Sequence, residues 1–259
     1  MWIDSHCHLD NSLLCQNSEE VIGSYLAEGV DHVIIPAVSK YNFDKVIEIA
    51  DMYKHCSYAL GYHPMFLDEF EDADLKLLEN YLLENNSVAV GEIGIDLFHR
   101  KDNYLYQEDI FLAQLKIAKK FDLPVIMHVR GAIDLILKNL RKVEVTGGIV
   151  HAFNGSFQQA YQLIELGFKL GFGGAMTYDR ATHIQMLAKE LPIEAIVLET
   201  DSPDMPPAWL SDQEHNQPKE LGKIADFFCS LRGLEPSKTA DIIRVNTIQA
   251  IPKLRELCT

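Results

Sequence analysis

Asp4-Ser5-His6-Cys7-His8 ends the first apolar run of this chain, and Glu92, His128, His151 and Asp201 end later ones. Residues two apart on a strand point to the same face, so His6 and His8 are expected to present two imidazoles together. Neutral imidazole nitrogen and carboxylate oxygen suit a divalent transition ion such as zinc, manganese or iron. One His-x-His pair is a weak indication. A lone histidine such as His128, following Val125-Ile126-Met127, is more often a hydrogen-bonded core or rim residue, and Asp201 alone would serve as a loop cap before Ser202-Pro203. Six such donors, each at the same relative position of a repeating unit, make a metal centre the expected reading.

Such donors meet only if the elements that carry them converge. Short apolar runs alternate with longer helical patterns throughout, and strands are expected near residues 1–5, 31–36, 57–61, 87–92, 124–128, 147–151, 168–172 and 195–200. Val33-Ile34-Ile35, Val88-Ala89-Val90 and Ala195-Ile196-Val197-Leu198 are continuously apolar, as strands buried on both faces of a parallel sheet require. Helices are expected between them: Val21 to Gly29, Phe43 to Tyr53, Leu75 to Leu83, and Gln107 to Phe121, the last ended by Leu123-Pro124. Eight such units in about 250 residues match a TIM (β/α)8 barrel, whose C-terminal strand ends share one mouth. An open doubly wound sheet is the alternative. It would normally carry a glycine-rich phosphate turn, and neither G-x-G-x-x-G nor G-x-x-x-x-G-K-[ST] occurs. With no Pro/Gly/Ser-rich linker, residues 1–259 are expected to form a single domain.

Two more residues belong at that mouth. His63, in Gly61-Tyr62-His63-Pro64, is placed equally well as a substrate contact or a packing residue. Arg130 follows His128 at the spacing that shares a strand face. Its guanidinium suits a phosphate or carboxylate, the plain alternative being a surface ion pair. His32 and His55 are expected at the opposite mouth in structural roles, and His99 and His183 in solvated positions.

At 259 residues, 47% hydrophobic and 24% charged, the composition is that of an ordinary globular protein. The net charge of −15 argues against the broad basic footprint of a protein that coats nucleic acid. It leaves room for a nucleic-acid substrate, because bound divalent ions make a pocket locally positive. Five scattered cysteines without C-x-x-C spacing read as free thiols of a reducing compartment. The chain enters its first strand at once, with no signal-peptide pattern and no apolar stretch of roughly 18 residues, so a cytoplasmic location without membrane association is expected. No obligate protein partner is evident.

Several motifs resemble the TatD family of metal-dependent hydrolases and deoxyribonucleases. They are Asp4-Ser5-His6-Cys7-His8-Leu9-Asp10, Gly61-Tyr62-His63-Pro64, Val90-Gly91-Glu92-Ile93-Gly94-Ile95-Asp96, Leu123-Pro124-Val125-Ile126-Met127-His128-Val129-Arg130, His151-Ala152-Phe153-Asn154-Gly155-Ser156 and Val197-Leu198-Glu199-Thr200-Asp201-Ser202-Pro203. They span the chain in the family's order. The resemblance implies a TIM barrel with two divalent metal ions (zinc, manganese, magnesium or iron): His6, His8 and Asp201 on one, His128 and His151 on the other, and Glu92 bridging. The chain departs from the family's usual Cys and Ser at Ala152 and Asn154, from its usual Arg at His215, and from a tyrosine near Leu97-Phe98. These departures bear on substrate preference and not on the ligands.

Two metals can activate one water and stabilise both the attacking and the leaving oxygen. Asp201 is the expected general base, with Arg130 on a non-bridging phosphate oxygen. The expected activity is 3′-5′ exonucleolytic hydrolysis of DNA ends, carried mainly by the resemblance. Hydrolysis of a small ester, amide or D-aminoacyl-tRNA by the same centre stays open, since fold does not fix function. So does a non-catalytic metal-binding scaffold.

Overall fold

The computed structural model describes residues 1–211 and 213–258. The apolar runs form eight strands: β1 (Trp2–Asp4), β2 (Val30–Pro36), β3 (Cys56–Leu60), β4 (Ala89–Asp96), β5 (Val125–Arg130), β6 (Gly148–Val150), β7 (Phe168–Phe172) and β8 (Ile196–Leu198). Each pairs in parallel with the next, in the order β1 to β8. Backbone bonds from Ser5 N–H to Leu198 O (3.1 Å) and from Asp201 N–H to His6 O (2.8 Å) carry the ends of β8 and β1 together, giving the expected TIM barrel.

Alternation along the strands divides the core. Val33 and Ile35 of β2 pack outward among the helices, in one cluster with Phe43, Val46 and Leu78. Ile34 between them faces inward and joins Ala59, Ile126, Ile149 and Val197. Ala250, Ile251 and Leu254 of the C-terminal segment close that inner cluster. The expected helices appear as Ser18–Ala27, Phe43–Met52, Asp72–Glu84 and Tyr104–Lys120. No helix among the described residues is long and apolar enough to cross a membrane.

Three expectations need correction. His128 lies inside β5, which runs on to Arg130, and does not close the strand. Glu92 lies inside β4, which runs on to Asp96, instead of at the strand's end. His6 and His8 lie beyond β1, which stops at Asp4, so strand pleating does not align them. The loop does so instead: His8 N–H donates to Ser202 O (2.8 Å), Cys7 N–H to Ile34 O (3.1 Å) and His6 N–H to Asp4 Oδ1 (3.2 Å).

Candidate metal centre

Five of the eight strands deliver the six expected donors to one mouth. His6 and His8 follow β1, Glu92 and His128 lie within β4 and β5, His151 follows β6, and Asp201 lies just past β8. Glu92 is buried at their centre, and its two oxygens face different neighbours. Oε2 lies 3.2 Å from His6 Nε2 and 3.6 Å from His8 Nε2. Oε1 lies 3.2 Å from His151 Nε2, 3.3 Å from His128 Nδ1 and 3.4 Å from His63 Nε2. Asp201 Oδ1 completes the first group, 3.5 Å from His6 Nε2 and 3.7 Å from His8 Nε2.

These groups meet the demands of a bound cation. His6, His8 and Asp201 offer donor atoms all within 4.8 Å of one another, as do His6, Glu92 and His151. Glu92 Oε1 faces three imidazole nitrogens yet accepts no hydrogen bond, and it is buried. A carboxylate oxygen left so costs free energy unless a positive charge meets it. Burial alone would raise the Glu92 pKa, but the imidazoles of His63, His6 and His151 outweigh it and hold the carboxyl well below the ordinary range. The donor set of imidazole and carboxylate fits divalent cations.

Further side chains orient the donors. His128 Nε2 lies 3.0 Å from Asp96 Oδ2, which leaves Nδ1 as the lone-pair nitrogen facing Glu92. Asp96 is itself fixed by the backbone N–H groups of Phe98 and His99 (both 2.8 Å). Glu199 accepts from Ala152 N–H (2.6 Å) and stands 3.5 Å from His151 Nδ1. It occupies space that two glycines leave open, since a Cβ at Gly171 would fall 2.2 Å from its Oε2. Outer carboxylates of this kind fix the tautomer of a ligating histidine. Neither Asp96 nor Glu199 is among the residues expected at the site from the sequence. The usable signal was spacing: Asp96 shares a strand face with Glu92, and Glu199 lies two residues before Asp201.

His63 joins the cluster with its Nε2 3.4 Å from Glu92 Oε1. Its Nδ1 accepts from Met65 N–H (3.1 Å), so the neutral ring carries its proton on Nε2, toward Glu92. Burial lowers its pKa to about 4, which keeps the ring neutral near pH 7. Arg130 is no surface ion pair: its guanidinium bonds His99 Nε2 (2.8 Å) and lies 4.1 Å over the Phe98 ring. His99 and His183 are exposed, as expected, and both line the cavity over the cluster, where His183 Nε2 meets Gly155 O at 2.9 Å. His32 is buried within β2, and His55 Nδ1 bonds Asp31 O (2.9 Å) at that strand's start, both at the far mouth as expected. The cavity, about 1130 Å³, reaches Glu92, Asp201, His63 and Arg130 and is open to solvent.

The chain is similar to known proteins. Residues 3–252 match the family model described as TatD related DNase. The chain is 36% identical over 249 residues to the uncharacterized metal-dependent hydrolase YjjV of Escherichia coli K12, covering 95% of this chain and 96% of that one. It is 28% identical to YabD of Bacillus subtilis, also an uncharacterized metal-dependent hydrolase, over 95% of this chain and 97% of that one. The crystal structure of the TatD homologue YjjV superposes with a TM-score of 0.93 at 35% identity, covering 97% and 98% of the two chains. A chain with this barrel, this cluster of histidines and carboxylates, and these relatives belongs to the TatD family of metal-dependent hydrolases.

Proposed function

We propose that this protein is a phosphodiesterase that removes nucleotides from the 3′ ends of DNA, using two divalent ions. The observation that carries the reading is the division of Glu92, whose oxygens face two separate sets of nitrogens beneath a cavity that also holds Arg130. In this reading His6, His8 and Asp201 hold one ion, His128 and His151 the other, and Glu92 stands between them. The family description, TatD related DNase, supports the substrate. Divalent ions supply charge that offsets the phosphate and lowers the pKa of the attacking water.

The chain's own groups do the rest. Asp201 Oδ1 stands 3.5 Å from His6 Nε2 and 3.7 Å from His8 Nε2, which puts a carboxylate within reach of a water at the ion these residues would hold. Asp201 takes the water proton as the water oxygen bonds to phosphorus. The bond from phosphorus to O3′ breaks, O3′ leaves with a proton, and a nucleoside 5′-monophosphate is released. Arg130, held by His99 and Phe98, is preorganised for a non-bridging oxygen. His63 directs its Nε2 proton inward, toward Glu92 or the bound phosphate.

The test is release of the terminal nucleotide from 3′-labelled single-stranded DNA, with a nitrophenyl phosphodiester and a D-aminoacyl-tRNA run beside it. Activity abolished by chelator and restored by manganese is expected on both phosphate substrates. Metal-restored deacylation of the aminoacyl-tRNA with neither phosphodiester cleaved would replace this reading with that of an ester hydrolase. Binding of metal with no turnover of any of the three would leave a scaffold.

A further inference from the structure

The charges around the mouth limit how much of a nucleic acid the site can hold. A protein that grips a strand does so with lysines and arginines along the backbone. Among the described residues lining this cavity, Arg130 is the one lysine or arginine. Other cations on loops of the same face stand outside the cavity: Lys40 pairs with Asp74 (3.0 Å), Arg100 pairs with Asp68, Arg180 lies over the Tyr178 ring (5.5 Å), and Lys101 is in the exposed turn after β4. Beyond the candidate ligands and Glu199, the lining adds the carboxylates of Asp10, Asp134 and Asp204. Phosphates further along a strand would meet negative charge there, on a protein already at −15.

Beside Arg130 and these carboxylates, the cavity also offers apolar side chains. Ile133, Phe153, Ala175, Ile184 and Met205 line it from the loops and helix start that follow β5 to β8. Two of these residues meet at Gly155, where a Cβ would strike Ile133 Cδ1 (2.4 Å) and the Phe153 ring (2.9 Å). A sugar and a base fit such a surface through stacking and apolar contact.

Resting on the phosphodiesterase reading, we propose that recognition stops at the terminal nucleotide. The scissile phosphate lies between the candidate ligands and Arg130, its nucleoside lies against the apolar residues, and the described lining of the cavity holds no further lysine or arginine for the phosphates beyond. The substrate class is therefore short: dinucleotides and nucleoside 5′-phosphate esters are cleaved as well as long strands.

The experiment compares kcat/KM on a dithymidine dinucleotide and on thymidine oligomers of 5, 10 and 20 residues, with manganese-loaded protein at several salt concentrations. The expected values agree within about threefold across lengths. The expected slope of log(kcat/KM) against log[salt] is about −0.7, that of one phosphate contact on a single strand. A tenfold or greater rise with length, or a slope of roughly −2 or steeper, overturns the proposal. A second comparison tests the apolar residues: thymidine 5′-(nitrophenyl phosphate) should be preferred at least tenfold over methyl nitrophenyl phosphate, and Ile184→Asp should erase the preference. Equal rates on the two esters in the unaltered protein overturn the assignment of the nucleoside to these residues. If no phosphodiester of any length is cleaved, it is the phosphodiesterase reading that falls, and this proposal with it.

Discussion

At the scale of single residues, Glu92 concentrates the chemistry because it is a carboxylate held ionised in a buried place, with imidazoles on two sides. Asp201 differs in kind. It sits at the rim, its side chain 12% exposed, in the left-handed region at φ 54°. Such conformations cost about 1–3 kcal/mol and persist where surrounding contacts demand them. Asp201→Asn keeps one coordinating oxygen and loses most of the basicity. The variant is expected to fold, to retain much of its metal, and to turn over roughly 10²–10⁴-fold more slowly. Full metal content with near-normal kcat would rule out the base role. Loss of metal along with rate would leave Asp201 only a ligand. Arg130→Ala is expected to raise KM for a phosphate substrate far more than it lowers kcat, since the guanidinium is poised before reaction begins and stays protonated throughout. A collapse of kcat at constant KM would show that it acts in the transition state. The six candidate donors that meet at the mouth were legible in the sequence as metal-type side chains beside apolar runs. Asp96 and Glu199 stand beside apolar runs too, but they act on partners 32 and 47 residues away, and spacing to Glu92 and Asp201 is the only local sign of it.

At the scale of elements, strand register decides which side chains meet. β4 brings Glu92 and Asp96 to one face with Gly94 between them, and a Cβ at Gly94 would fall 1.8 Å from His128 O on β5. That glycine lets the two strands that carry Glu92 and His128 lie together. The apolar runs marked all eight strands, since strands buried on both faces need little else. They misplaced Glu92, His128 and the His6–His8 loop because hydrophobicity does not record where pairing stops. β2 offers a test remote from the metal donors. His32 is buried in it, its Nε2 has no hydrogen-bond partner, and burial lowers its pKa from 6.5 to about 4. The unfolded chain therefore binds this proton more readily than the folded one. The stability linked to His32 is fully present above pH 6.5, declines as pH falls toward 4, and levels off below. The span amounts to roughly 3 kcal/mol. His32→Leu removes the titration and leaves no unpaired nitrogen, so denaturant unfolding of the variant should lose less stability than the parent between pH 6.5 and 4.5. Identical losses would mean that His32 is not held neutral.

At the scale of the whole molecule, the barrel's seam and the candidate metal centre coincide. β1 and β8 are joined at the mouth by Ser5 N–H to Leu198 O, Asp201 N–H to His6 O and His8 N–H to Ser202 O. The buried Asp4 carboxylate adds bonds to Thr200 N–H (3.0 Å) and Oγ1 (2.6 Å). His6 and His8 stand on one side of this seam and Asp201 on the other, so a cation shared among them ties the first strand to the last. At the far mouth the barrel is closed by Ile251 and Leu254, which are fully buried and independent of any ion. The two ends should respond separately. A cation bound only by the folded state stabilises it by about 2.7 kcal/mol at a hundred times its Kd. For a chain of this size that corresponds to a rise in Tm of roughly 5–10 °C. Thermal unfolding of chelated and manganese-loaded protein should show this rise, and His8→Ala should diminish it. Ile251→Ala should lower Tm in both states, as a core cavity costs about 2–5 kcal/mol, while preserving the increment from manganese. An equal Tm with and without metal, in protein whose manganese content is verified, would show that the ion does not brace the seam. An increment abolished by Ile251→Ala would show that the two mouths are coupled through the barrel and do not act independently.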